Sequence, residues 1–255
     1  GGMERRGMAR ERARPKLSMP ETMRAALAAA LPACRELGSA TTLAGLVVLA
    51  KVALRAVLVD PTEPVRFQED VFLVDLACTI LLAPYWMAMF RRMLGADGSL
   101  PEIVAGRAGP FQAFLALELF WLLVGGLLDR SFSPGGVGQG QVMLGLAAWA
   151  CILALQIWTS MLAPALAVGA PEATLRGVVA MTRGSAARIG VMLVALIMPL
   201  GLLGRLLTEP ERAGADMPAP VLALRIFASS LIEMALLVLV TALLAETYRR
   251  LRPRA

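Results

Sequence analysis

The hydrophobic positions of this chain fall into long, nearly unbroken runs, and polar residues are confined to the gaps between them. Val71–Phe90 carries Asp75 as its only charge, and Phe111–Leu128 carries only Glu118. Val142–Val168 has no charge, Ile189–Gly204 has none and can extend to Leu207, and Ile226–Ala245 contains only Glu233. A helix needs about 20 apolar residues to cross the hydrocarbon core of a bilayer, so each run is read as a span. Leu37–Val59 is read as a sixth: Gly38–Ala50 is clear of charge, Lys51 and Arg55 follow, and an even number of spans fits the basic residues described below. In lipid every backbone polar group must be bonded internally, which leaves helices or a closed barrel. Barrel strands alternate over about 10 residues, and these runs are longer and do not alternate. The expected fold is all-α integral membrane, with six transmembrane helices at 38–59, 71–90, 111–129, 142–168, 188–207 and 224–246 in a single domain, 17–255. Residues 1–16 read as a basic disordered arm.

Composition agrees, with 58% hydrophobic residues and a mean hydropathy of +0.68. Charge adds an orientation. Eighteen Lys and Arg fall before span 1, between spans 2 and 3, between spans 4 and 5, and in the tail, against four (Arg66, Arg130, Arg205 and Arg212) on the other side. Basic residues mark the cytoplasmic side, so both ends of the chain are expected inside. The formal net charge of +6 then points to anionic lipid headgroups. Nucleic acid is not the expected partner, because the basic arm lacks the interleaved aromatics on which bases stack. Residues 1–24 contain no 7–15-residue apolar core of a signal peptide.

The three segments on the basic side each hold a Pro-Glu pair followed by an arginine: Pro20-Glu21 with Arg24, Pro101-Glu102 with Arg107, and Pro171-Glu172 with Arg176. Pro and Glu both suit a first helical turn, so each pair is expected to start an amphipathic helix on the inner membrane surface. Ser18 with Glu21 has the spacing of a capping box, and Met23, Leu27, Leu31 and Cys34 form an apolar stripe. In the third segment Leu175, Val178, Val179 and Thr182 line one side, Glu172 and Arg176 are spaced as an i,i+4 pair, and Gly184 would end the helix. Surface helix, span in, loop and span out, repeated, would make three tandem helical hairpins. The same features arise at any helix start and any membrane interface, so both explanations stand.

Two stretches carry a resemblance. Met161–Gly190, MLAPALAVGAPEATLRGVVAMTRGSAARIG, has Pro164-Ala165 at a span end and Thr182-Arg183-Gly184 before the next span, and Ala245–Arg252 reads AETYRRLR. These resemble a group of uncharacterised bacterial six-helix membrane proteins related to the membrane domain of some glycerophosphoryl diester phosphodiesterases. The resemblance implies a bacterial inner-membrane protein with surface helices on the inner side. It does not imply phosphodiesterase activity, which belongs to a separate barrel domain.

The chain has no histidine, which excludes His-based acid–base catalysis and His metal sites. Cys34, Cys78 and Cys151 are far apart with no CxxC spacing and read as small hydrophobic side chains. Ser131–Gln141 is glycine-rich but matches neither phosphate-binding pattern and reads as a loop. No catalytic residue, metal or cofactor is expected.

The functional leads are the ionisable groups inside the spans, since these are costly and have to be compensated. Lys51 and Arg55 share a face of span 1, and Arg55 with Asp75 is a candidate ion pair at similar depth. Glu118 and Glu233 fall near mid-depth of spans 3 and 6, and Gln156 near the middle of span 4. Lys51, Arg55 and Asp75 could simply lock the first hairpin, with Arg225 reaching the surface. Alternatively Glu118, Glu233, Lys51 and Gln156 line a polar path for a proton, an ion or a lipid headgroup. Arg91, Arg92, Arg183, Arg249 and Arg250 are candidate headgroup contacts. The leading expectation is a non-catalytic envelope protein that engages lipid or a membrane-protein partner through its basic side; the alternative is a small transporter or permease component using the intramembrane carboxylates.

Overall fold

The computed structural model describes residues 17–58, 69–97, 99–107, 110–131, 139–208 and 218–252. The basic arm, the connections 59–68 and 209–217, and most of the glycine-rich segment lie outside them. The described residues form ten helices and no strand: α1 (Met19–Glu36), α2 (Gly38–Leu58), α3 (Glu69–Met93), α4 (Leu100–Val104), α5 (Phe111–Ser131), α6 (Gln139–Thr159), α7 (Leu162–Ala167), α8 (Leu175–Thr182), α9 (Ala186–Thr208) and α10 (Ala219–Leu251). Six are long and apolar enough to cross a membrane: α2, α3, α5, α6 continued by α7, α9 and α10. This is the architecture of an all-α six-span membrane protein. Glu21 meets Arg250, so α1 and the end of α10 share one end of the bundle, called proximal here; the opposite end is distal.

The span limits follow the apolar runs except in the fourth, where the expected single helix 142–168 is broken at Ser160-Met161. Pro164 explains the break. It has no N–H to bond Ser160, four residues back, and its ring crowds that carbonyl. The Ser160 hydroxyl instead donates to Ile157 O at 2.7 Å. Beyond the break α7 turns into the bundle, and every residue from Leu162 to Ala167 is buried. Pro84 and Pro199 sit inside α3 and α9 without interrupting them.

At 33 residues, α10 is about 50 Å long, well over the roughly 30 Å hydrocarbon thickness. Its proximal turns are enclosed, with Ala245 to Tyr248 buried, and α1 packs along it. The buried face of α1 is Thr22, Ala26, Ala30 and Ala33. These residues recur at helical spacing on one stripe, and their small side chains let the two helices approach closely. The larger Leu27 and Leu31 of the expected stripe face outward. Ser18 has the extended backbone of an N-cap but makes no side-chain cap bond. The capping box forms one segment later: Ser99 and Glu102 bond reciprocally at the start of α4, with Ser99 N–H donating to Glu102 Oε2 at 2.7 Å. Those hydrogen bonds hold the Glu102 carboxyl below its ordinary range.

The third Pro-Glu pair behaves differently from the other two. Pro171-Glu172 lies in the turn before α8, and Thr174 is the cap, accepting from Gly177 N–H at 3.1 Å. Gly177 is held tightly there, since a Cβ would fall 2.7 Å from Glu172 O. Glu172 makes no pair with Arg176; it is taken up by Tyr248 and Arg252. Gly184, at φ +84°, turns the chain after α8, a conformation that glycine adopts without a Cβ penalty. The hairpins also differ. α2 packs along α3 and α9 along α10, but α5 and α6 meet only marginally. α3 and α10 are the hubs, touching each other and most remaining helices, while α6 stands at the periphery.

Candidate functional site

Each charged residue inside the bundle marks the inward face of its helix. From Asp75 on α3 the helical period reaches Cys78, Thr79, Leu82 and Trp86; from Glu233 on α10 it reaches Leu236, Leu237, Val240 and Thr241. Val48, Lys51 and Arg55 lie on one side of α2, and Glu118 and Leu122 on one side of α5. With Ala163 of α7 and Ile197 of α9, these faces line a partly open cavity of about 510 Å³ that receives side chains from all six spans. Its walls are mostly aliphatic and aromatic, with charges at one end. On α3 the lining runs from Asp75 to Phe90, 15 residues or about 22 Å along the helix.

The charged end is a four-residue cluster. Lys51 Nζ lies 2.6 Å from Glu233 Oε2 and 4.0 Å from Asp75 Oδ1. Arg55 Nη2 is paired with Asp75 Oδ2, and Arg55 Nη1 lies 3.8 Å from Glu233 Oε1. Two cations and two carboxylates cancel, which offsets the cost of placing charges inside the span, at most roughly 2.5–3.5 kcal/mol each, the value for a helix centre. The cluster ties α2 to both α3 and α10. It is not saturated: Arg55 Nε and Asp75 Oδ1 are buried without a hydrogen-bond partner among the described residues. Such orphaned groups are rare in buried networks and call for a specific cause.

Glu118 faces the same cavity at a different depth. Phe114 stacks edge-on against Phe90, with ring centroids 6.1 Å apart, and Glu118 is one turn further along α5. It is therefore level with Trp86, and Asp75 is 11 residues from Trp86, about 16 Å along α3. Glu118 and Glu233 share a cavity but do not meet as a two-carboxylate catalytic pair. Among the described residues Glu118 has no hydrogen bond and no ion pair, unlike the four charges at the distal end. Gln156 stands on α6, outside the cavity wall. Arg225 is half-buried, with Nη1 lacking a partner. Among the described residues no three His, Cys, Asp or Glu side chains come together as metal ligands.

At the proximal end most of the arginines considered for headgroup contact are engaged internally. Arg91 donates to Ala167 O at 2.8 Å and to Asp97 O. Arg92 pairs with Glu36. Arg249 and Arg250 hold the two oxygens of the buried Glu246, each at 2.7 Å, and Arg250 also reaches Glu21 at 3.4 Å. Arg183 is exposed at the end of α8. Arg24, Arg35 and Arg176, which are exposed, form no hydrogen bond or ion pair with described residues.

The proximal network also fixes the turn before α8. Tyr248, fully buried, donates to Glu172 Oε1 at 2.7 Å, and Arg252 Nε lies 3.0 Å from the same oxygen. Burial pushes the Glu172 carboxyl up, but the hydrogen bond from Tyr248 and the charge of Arg252 outweigh it, and the net shift is downward from 4.5. A carboxylate depressed in the folded state stabilises the fold above its unfolded value and loses that contribution as pH falls through its folded value. Tyr248→Phe is expected to cost about 1–3 kcal/mol at neutral pH. The gap from wild type should narrow below pH 4.5, as thermal unfolding at pH 7 and pH 3 would measure. A gap that persists unchanged at pH 3 would place the loss in packing instead.

The sequence pattern marked every charged member of this site but not the residues beside them. Cys78, Thr79 and Trp86 could have been found by counting 3, 4 and 11 residues from Asp75. The union of Glu233 with Lys51 could not, because it joins helices 182 positions apart. Comparison of the chain with protein-family models, with curated proteins and with solved structures finds no match.

Proposed function

We propose that the protein is a membrane transport protein whose central cavity binds a molecule with an apolar body and a charged or zwitterionic end. The observation that carries this reading is the cavity itself. Its volume of about 510 Å³ lies in the range of ligand sites, which are mostly apolar with a few convergent polar groups. The neutral cluster at its distal end keeps the side chains of Lys51, Arg55 and Glu233 partly accessible. Glu118 offers a second polar station further along. Carriers commonly bind near the bilayer midplane between their helical units, and a cavity running about 22 Å along α3 would reach that depth.

The setting we propose is a bacterial cytoplasmic membrane with the proximal end inside, which is where the excess of basic residues would lie. Kinship with the six-helix family whose linker and tail motifs the chain resembles belongs to the same proposal. On that face Arg24, Arg35 and Arg176, supported by Arg183 and Arg249, would rest against anionic headgroups, each worth about 1 kcal/mol near the surface. This anchoring accompanies the cavity's activity.

The test is a ligand screen on purified protein in nanodiscs, read by thermal unfolding, over amphiphilic amines, carboxylates, phosphates and zwitterions. A ligand at a hundredfold excess over its Kd should stabilise the fold by about 2.7 kcal/mol. The shift should vanish in Glu118→Gln and in the charge-neutral double variant Lys51→Met/Glu233→Gln. Shifts that persist in both variants, or no shift for any class, would refute the cavity as the binding site.

A further inference from the structure

Resting on the cavity as a ligand site, we infer that its ligand is a zwitterionic membrane lipid that enters sideways from the bilayer, between α5 and α9. The wall of the cavity is uneven. On the α2, α3 and α10 side, buried side chains run the length of the bundle, including Val48, Cys78, Leu82 and Val238. On the other side they stop near the proximal end. Beyond Phe114 on α5 and beyond Met192 on α9 no described side chain is buried. α5 packs on α3 and α7 but shares no extended contact with α9 or α10.

Among the described residues only α6 stands across the gap between α5 and α9, and it closes it poorly. It contributes no residue to the cavity lining. It touches α5 marginally and meets α9 closely near the proximal end, where Gly190 lies against Ile157. Through its middle, Leu146, Trp149 and Leu153 share one face and Leu144 lies on another, and all four are exposed; its inward stripe at Gly145, Ala148 and Ile152 consists of glycine, alanine and one larger side chain. An opening of this kind, at membrane depth and bordered by apolar side chains, faces acyl chains and not water.

The chemistry inside matches what would come through. The aliphatic and aromatic walls suit an acyl chain. At the distal end Lys51 and Arg55 present cations for a phosphate, while Asp75 and Glu233 present carboxylates for an ammonium. A headgroup carrying both charges can pair with the partly exposed side chains of Lys51, Arg55 and Glu233 without unbalancing the cluster. A purely anionic or purely cationic headgroup would leave one sign in excess.

Trp86 lines the cavity and serves as the reporter. A single-tryptophan chain (Trp121→Phe, Trp149→Phe, Trp158→Phe) is reconstituted in vesicles of phosphatidylethanolamine brominated on one acyl chain. A second chain retaining only Trp149 reports the surrounding lipid. Trp86 is expected to lose at least half as much emission as Trp149, and the plug Leu122→Phe should halve the Trp86 quenching while leaving Trp149 unchanged. Quenching by brominated phosphatidylglycerol equal to that by brominated phosphatidylethanolamine would overturn the zwitterionic assignment. Quenching that ignores the plug means that Trp86 meets only surrounding lipid, and the inference falls. Quenching by aqueous acrylamide in place of lipid would overturn lateral entry but leave a transport cavity standing. Quenching by neither would remove both readings.

Discussion

Lys51→Met is expected to destabilise the protein by about 2–3 kcal/mol, below the 3–5 kcal/mol typical of a broken buried ion pair. Lys51 is the one side chain of the cluster within 3 Å of Glu233, and it also lies 4.0 Å from Asp75. Without it two carboxylates share the single charge of Arg55, and Glu233 is left 3.8 Å from Arg55 Nη1 with no close partner. The discount reflects exposure: the side chains of Lys51 and Glu233 keep 20% and 31% of their surface accessible, so solvent screens part of the loss. Adding Glu233→Gln restores charge balance, because the Arg55–Asp75 pair remains. The double variant should therefore recover at least half of the loss. Unfolding by sodium dodecyl sulfate in mixed micelles measures both numbers, and the double-mutant cycle isolates the pair. If the two single losses simply add, Lys51 and Glu233 are not coupled and the cluster does not hold α2 to α10.

The six spans were legible because a bilayer leaves a buried backbone few choices. Long apolar runs must be helices there, and length alone then sets the count. What escaped the pattern is tertiary. The break at Ser160-Met161 needs the crowding of Pro164 against a carbonyl four residues back, yet Pro84 and Pro199 carry the same potential without breaking their helices. The inward stripe of α1 is alanine, not leucine, because it meets α10 closely; hydrophobicity ranks Leu27 and Leu31 higher, but lipid accepts them as readily as protein does. The arginines of the proximal face read as a headgroup belt in sequence: the partners of Arg92 and Arg91, Glu36 and Ala167 O, are brought to them only by folding, whereas Glu246 stands three and four residues before Arg249 and Arg250 and was open to the i,i+3 and i,i+4 rule. For the site, the charges were visible and Arg55 and Asp75 share a depth that helix length predicts. The gathering of four charges required knowing that α10 lies beside α2.

Glu118→Leu is expected to raise stability while abolishing ligand binding, and that opposition separates the two meanings a charged residue inside a membrane can have. Lys51, Arg55, Asp75 and Glu233 compensate one another, so their presence is explained by the fold alone. Glu118 has no such explanation among the described residues: α5 is already seated by Phe114, which is fully buried and stacked on Phe90, and nothing bonds the carboxyl. Leucine matches glutamate in helix propensity and adds apolar surface to a wall formed by Leu122, Leu236 and Leu237. A charge at mid-span costs about 2.5–3.5 kcal/mol, and the open cavity relieves part of it. A gain of about 1–2 kcal/mol on removal follows from that cost, measured by the same micelle titration. Residues that lower stability and are nonetheless kept are the signature of function, so the ligand-dependent thermal shift should disappear in the same variant. Should Glu118→Leu destabilise the protein instead, the carboxyl has a structural role. Should it stabilise the fold yet leave ligand binding intact, the second polar station plays no part in recognition, and the cavity would act through its distal cluster alone.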